Sequence, residues 1–266
     1  MNPVLSKSPL TYILSQVKIG PILALEKHID TIQEAIRSDF PQYNEIQSHE
    51  ILLKPEGEPE LRRFTQWHFA NIESTTGILL QKDAITIHTT DYKNFKTLSD
   101  TLVQIVGKLN QILNIGSYTR IGLRYINLIQ NSIETSLLKE LLGFQLECDE
   151  HIFNKQGFFS KTETVQDTNS GIIKIQVIHT QSQRLPQQAE NIFVPPDLLP
   201  VADLLSFKKH DKSQNAFAIL DIDHFTKTAA EKFDEEKIMN ELSLLHQGVY
   251  QAFIAAVTQK ALESWR

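Results

Sequence analysis

The residues with the most chemical potential lie in two apolar segments. Asp221-Ile222-Asp223-His224 closes a largely hydrophobic run that begins at Ala216. Alternation along a strand turns its two carboxylates to one side, where oxygen ligands could hold a divalent cation. Arg120 and Arg124 stand four apart on a second segment, Tyr118 to Ile129. Their forked donors share one face, about 13 Å apart by strand rise, and could grip a carboxylate or phosphate. Where the two segments are neighbours, the same side chains instead satisfy one another as cross-strand ion pairs. Arg120, Arg124, Asp221, Asp223 and His224 are therefore the candidate ligand-binding set.

Most familiar chemistries are excluded by absent spacings. No GxGxxG, GxxxxGK[ST], GxSxG or HExxH occurs, so phosphate-cradling amides, a nucleophile elbow and paired helical histidines are missing in their usual form. The ten glycines among 266 residues are about half the usual share of ~7%. The Asp221–Phe225 string looks like the first metal-binding segment of diguanylate cyclase domains. Those domains need a Gly-Gly-Asp/Glu-Glu-Phe hairpin downstream, and the 41 residues after Phe225 hold none. The nine histidines form no HxH or HxxxH pattern. Cys148, the one cysteine, sits among Glu147, Asp149 and Glu150, which disfavour its thiolate. No catalytic nucleophile, metal or cofactor is expected. Trp67, on an alternating strand, reads as core, and Trp265 as an anchor for the last helix.

The elements that must position these residues follow from periodicity. Tyr12 to Ile19 alternates as a strand. Leu25, Ile29, Ile32 and Ile36 then share a helical face, ended by Pro41. Strands are expected near 48–54, 61–70 and 77–89, with a turn at Glu56–Pro59. From Asp91 the period becomes 3.6: Tyr92, Phe95, Leu98, Leu102, Ile105, Leu109 and Ile112 form a stripe behind an N-cap at Thr90 or Asp91. On the strand that follows, Arg120, Gly122, Arg124 and Ile126 share one face, and Ile121, Leu123 and Tyr125 the other. A short helix at Ser136–Leu142, strands near 151–165 and 172–180, and a Gln/Pro-rich arm from Gln181 to Leu199 precede the strand at 215–225. A final helix of about thirty residues from Asp234 would span roughly 45 Å, long enough either to cross a broad sheet or to offer part of its length to a partner.

The sequence thus predicts an α+β fold, antiparallel sheets packed against long amphipathic helices. Two halves, 1–130 and 131–266, share a β-then-helix order that suggests a duplication within one or two domains, though no residue-level repeat is present.

The 26 basic and 32 acidic residues are unevenly spread. The first half holds 13 of each, the second 13 and 19. The longest basic runs are the pairs Arg62-Arg63 and Lys208-Lys209, which is no footprint for nucleic acid. No secretory signal or spanning apolar stretch is visible, so a cytoplasmic protein without membrane contact is expected.

Several strings resemble, together, a sporadically distributed family of uncharacterised bacterial proteins of about this length. They are Ser8-Pro9-Leu10 leading to Gln16-Val17, Asp39-Phe40-Pro41, Trp67-His68-Phe69, Tyr92-Lys93-Asn94-Phe95, Leu220-Asp221-Ile222-Asp223, and Leu245-His246 through Phe253. The most distinctive is Arg120-Ile121-Gly122-Leu123-Arg124-Tyr125-Ile126-Asn127. The resemblance implies a bacterial protein of mobile or defence-associated loci and supplies no catalytic residue. The expectation is a non-catalytic protein-interaction module, an antitoxin-like partner that binds another protein or itself. The alternative is a small-molecule, nucleotide or divalent-metal site, with or without catalysis, on the polar sheet face of the candidate set.

Overall fold

The computed structural model describes residues 5, 7–52, 60–130, 158–181, 216–226 and 229–266. The turn at Glu56–Pro59, the helix at Ser136–Leu142, Cys148 and the arm beyond Gln181 lie outside the described residues. The fold is α+β, built on an antiparallel sheet. In chain order the elements are β1 (Leu10–Ile19), α1 (Ile29–Ile36, entered through a 3-10 turn at Leu25–His28), β2 (Gln42–Leu52), β3 (Glu60–Ala70), β4 (Thr76–Gln81), β5 (Ala84–Thr89) and α2 (Phe95–Leu113). Then follow β6 (Ser117–Gln130), β7 (Phe158–Thr168), β8 (Gly171–Gln181), β9 (Ala216–Phe225), β10 (Glu231–Lys232), α3 (Glu235–Ala256) and α4 (Gln259–Ser264). Nine strands run in the order β2-β3-β4-β5-β1-β6-β9-β8-β7, and the short β10 pairs with β6.

Among the described residues, and leaving aside α1 and β2, that order repeats a connectivity. In the first half β1 is central, β5 returns beside it, β4 and β3 lie outward, and α2 follows. In the second, β6 is central, β9 returns beside it, β8 and β7 lie outward, and α3 follows. The halves meet at β1 and β6, where Leu14 stands opposite Arg124. The helices share one core with one face of the sheet. Leu98, Leu102, Ile105 and Leu109 of α2 and Ile238, Leu242, Leu245 and Val249 of α3 pack in one cluster with Ile13, Val17, Ile85, Ile87, Ile121, Leu123, Leu220 and Ile222. The opposite face carries Arg120, Gly122 and Arg124, as the alternation on β6 requires.

Local chemistry fixes the helix ends. Asn94 caps α2, its side chain accepting from the Thr97 amide at 2.9 Å, so the helix begins later than the expected Thr90 or Asp91 and leaves Tyr92 in the preceding loop. Asn114 ends it at φ 49°, a conformation Asn tolerates. Asp234 caps α3 as expected, accepting from the Lys237 amide at 3.0 Å, with Glu235 and Glu236 in the first turn favoured by the helix dipole.

Two expected elements are each divided. The run 77–89 is a hairpin, because Lys82-Asp83 turns the chain between Gln81 and its partner Ala84. The thirty-residue terminal helix is α3, of 22 residues, and α4, of 6. The chain is extended at Val257, and Thr258 caps α4 by accepting from Ala261. The break returns Val257, Ala261 and Trp265 to the core. Trp265 lies 6.1 Å from Phe253, and its carbonyl accepts from the Lys7 amide at 2.9 Å. The end of the chain is therefore packed on the core, and the expected thirty-residue helix is interrupted at Val257. Among the described residues no helix is long and apolar enough to cross a membrane.

Trp265 is 7% exposed and Leu244 of α3 is 49% exposed. Trp265→Ala should cost about 3 kcal/mol in urea denaturation by cavity formation, whereas Leu244→Ala should change stability by less than ~0.5 kcal/mol. Equal effects would show that α4 is not part of the core.

Candidate functional site

The face away from the helices brings four of the five candidate residues together. β6 and β9 are neighbours, with Arg124 opposite Asp223 and Ile126 opposite Asp221. The Arg124 fork reaches diagonally to Asp221, Nε to Oδ1 at 2.8 Å and Nη2 to Oδ2 at 2.5 Å. Two parallel charge-assisted bonds are the strong form of this contact. Arg120 approaches Asp223 at 3.6 Å and donates to the Gln16 carbonyl oxygen at 3.1 Å. Gln16 in turn donates to Thr86 at 3.0 Å. The guanidinium of Arg120 also lies 4.2 Å from the centre of the Phe225 ring.

β8 extends the ionic row. Lys174 stands opposite Asp223, and Gln176 opposite Asp221. Lys174 pairs with Glu163 of β7 at 2.9 Å, and Gln176 donates to the same carboxylate. These two bonds hold Glu163 below the usual carboxyl range. Asp223 goes the other way: burial raises its carboxyl, against the pull of Arg120, Arg124 and Lys174 and with the push of Asp221. Arg124, Lys174, Gln176, Asp221 and Asp223 line a cavity of about 50 Å³.

His224 is not part of this arrangement. Strand alternation sends it to the helix side, opposite Leu123. There its Nδ1–H donates to the Leu245 carbonyl at 3.0 Å, and its Nε2 meets the Thr168 hydroxyl at 2.9 Å. Burial lowers its pKa, opposed by the Leu245 carbonyl. A Cβ at Gly248 would lie 2.5 Å from the ring, so glycine in α3 permits the helix to close over it. His224 ties β9 to α3 and has no access to the carboxylates.

A second polar cluster was not visible in the sequence. His68 on β3 and His88 on β5 meet across the intervening β4, Nε2 to Nε2 at 3.0 Å, with rings stacked at 5.2 Å and 17°. Gly77 on β4 makes the contact possible, since a Cβ there would sit 2.7 Å from both Nε2 atoms. Both rings are fully buried, and neither Nδ1 has a hydrogen-bond partner among the described residues. Burial lowers His68 to about 4. It lowers His88 to about 3, with the neighbouring His68 adding to the effect. The only early signal is that both histidines face away from Trp67, Phe69, Ile85 and Ile87 on their own strands. Their meeting depends on sheet register.

A third cluster lies under α3. Tyr125 bonds His246 Nδ1 at 3.1 Å and Tyr92 at 3.2 Å, while Phe95 stacks on His246 at 4.1 Å. Burial raises both tyrosines and lowers His246 to about 4, so at neutral pH the chain of contacts is uncharged. Among the described residues no group of three His, Cys, Asp or Glu could hold a metal ion. Comparison with protein-family models, with curated proteins and with solved structures finds no match.

Two outcomes are expected. Arg124 and Asp221 are mostly buried, 20% and 7% exposed, so Asp221→Asn should strand the guanidinium and cost about 2–4 kcal/mol. The Asp221→Asn, Arg124→Met double variant should lose less than the sum of the singles in a double-mutant cycle; additivity would deny the coupling. The second outcome concerns acid. Both imidazoles of the His68–His88 pair are held neutral in the fold, whereas the unfolded chain takes up protons below about 6.5. Stability is therefore kept above that pH and lost as pH falls from 6.5 towards 4, at up to ~1.4 kcal/mol per pH unit for each ring. Urea midpoints at pH 7.5 and 5.0 should fall accordingly, and the two imidazole NMR signals should not titrate above pH 5; a titration near 6.5 would refute the buried pair.

Proposed function

We propose that this chain is a non-catalytic protein-interaction module, in line with its resemblance to a family of bacterial mobile or defence-associated loci, where an antitoxin-like partner would act by contact. The observation that carries this reading is the closure of the polar face. The Arg124 fork is taken up by Asp221, and Lys174 is paired with Glu163. The cavity beside them, about 50 Å³, has room for a few waters, whereas ligand pockets measure about 300–1,000 Å³. A substrate would have to displace a matched set of ion pairs to enter. Contact with another protein asks nothing of this face, because it can use the sheet edges.

The test is ligand-induced stabilisation of the full chain. Millimolar Mg²⁺, Mn²⁺, inorganic phosphate, ATP and GTP should each leave the melting temperature unchanged. A ligand bound to the folded state alone at 100 times its Kd adds about 2.7 kcal/mol, which corresponds to several degrees in a domain of this size. A rise of that size, lost in Asp223→Asn or Lys174→Met, would overturn the proposal and make the polar face a ligand site.

A further inference from the structure

We infer that β7 pairs antiparallel with β7 of a second copy of this chain, about a two-fold axis through Thr164, to give a sheet continuous across two molecules. This rests on the reading that the protein works through protein contacts, and it specifies which surface and which partner.

β7 is a sheet edge among the described residues, and it differs from the other edge, β2. From Glu163 to Thr168 every residue is exposed, with Val165 60% exposed, and among the described residues no strand pairs with the outer side of β7. An edge of this length with unsatisfied backbone groups is a template for strand addition unless its side chains forbid it. Here they favour one arrangement. Residues Lys161, Glu163, Val165 and Asp167 lie on the polar face, opposite Ile178, Gln176, Lys174 and Ile172 of β8. Thr162, Thr164 and Gln166 lie on the helix face.

A two-fold axis normal to the sheet preserves faces and pairs each residue with its mirror position along the strand. Centred on Thr164, it sets Lys161 against Asp167 of the second copy and Asp167 against its Lys161, two opposite-charge pairs from one operation. Glu163 falls opposite Val165, and its charge is already answered by Lys174 within its own chain. On the other face Thr164 meets Thr164 and Thr162 meets Gln166, β-branched and hydrogen-bonding pairs of the kind that stabilise sheets. β2 cannot do this: it contains glutamate and no lysine or arginine, so self-pairing there gains no ion pair. Glu45 and Thr65 also already bond Gln47.

Sedimentation velocity of the full chain from about 1 to 200 µM spans the range in which a small interface of this kind associates. A monomer–dimer equilibrium is expected. Lys161→Glu and Asp167→Lys each place like charges at both symmetric pairs and should raise the dimer Kd about tenfold; the K161E/D167K double variant restores the opposite charges and should return the Kd to its starting value. These are exposed positions, so circular dichroism and melting temperature serve as folding controls. Thr164→Cys should cross-link under mild oxidation, since directly opposed strand residues lie about 4.5–5.5 Å apart at Cα, while Val165→Cys should cross-link less. A chain that stays monomeric throughout, or a dimer insensitive to the charge swaps, overturns the inference. Either result leaves the preceding proposal standing, because that one falls only to a stabilising small ligand.

Discussion

The pairing of β9 with β6 depends on the Arg124–Asp221 fork, which joins β9 to the strand that seams the two halves together. Placing a guanidinium and a carboxylate on a mostly buried face costs several kcal/mol per ion unless geometry returns it. The fork returns it in the observed register, where Asp223 is at the same time left for Arg120. A one-residue slip of β9 against β6 would turn Asp221 and Asp223 under the helices and carry His224 to the polar face. A two-residue slip would keep the faces and, in one direction, offer Asp223 to Arg124 in place of Asp221, but it would take that carboxylate away from Arg120. The apolar residues of β9 cannot discriminate the second error, since Ile219, Leu220 and Ile222 are bulky on either side. The two pairs together, Arg124–Asp221 and Arg120–Asp223, therefore contribute specificity of register beyond any net stabilisation.

Seen along the strands' perpendicular, one row of directly paired residues runs through the fork: Ala70, Gly77, His88, Leu14, Arg124, Asp223, Lys174 and Val165. Its middle, Leu14 opposite Arg124, coincides with the join between the topologically equivalent halves. By that symmetry His88 corresponds to Asp223, Gly77 to Lys174, and His68 to Glu163. The two halves solve the same problem with different chemistry. The first places two neutral imidazoles in contact over a glycine, because no charge of opposite sign stands near them. The second places an acid, a lysine and an acid there and matches them pairwise. The acidic excess of the second half is thus partly accounted for by residues of this face, facing arginines that belong to the seam.

Much of this was legible beforehand, where the governing interactions are local. The alternation on Tyr118–Ile129 separates Arg120 and Arg124 from Ile121, Leu123 and Tyr125, and the α2 and α3 stripes are the buried ones. The pairing of the arginines with Asp221 and Asp223 followed once the segments were allowed to be neighbours. His224 was grouped with the carboxylates by sequence adjacency, and the two-residue period of a strand undoes that grouping. The His68–His88 contact needs the register of three strands, which no spacing encodes. The α3–α4 break was hidden because Ala252, Ala256 and Val257 continue the helical stripe. What stops the helix is the gain from folding Trp265 back, a tertiary effect.

The same packing explains why the two ends of the sheet differ. Helix cover reaches β6, β9 and part of β8, and Ile175 and Val177 of β8 are only partly buried against it. Beyond them β7 from Thr162 to Thr168 has no apolar face to bury: its inner positions there are threonines and a glutamine, and the opposite positions continue the ionic row through Glu163. It is held by its backbone ladder to β8, by the bonds that Lys174 and Gln176 make to that carboxylate, and by the Thr168 hydroxyl on His224. Hydrophobic stabilisation therefore ends one strand before the sheet does. A strand so placed contributes little to the core while keeping an ordered backbone edge, supported from behind by matched charges. The matched polar row and the exposed edge are consequences of one arrangement, in which the charges of β6, β9 and β8 are paired across the sheet and β7 supplies the last carboxylate of the row.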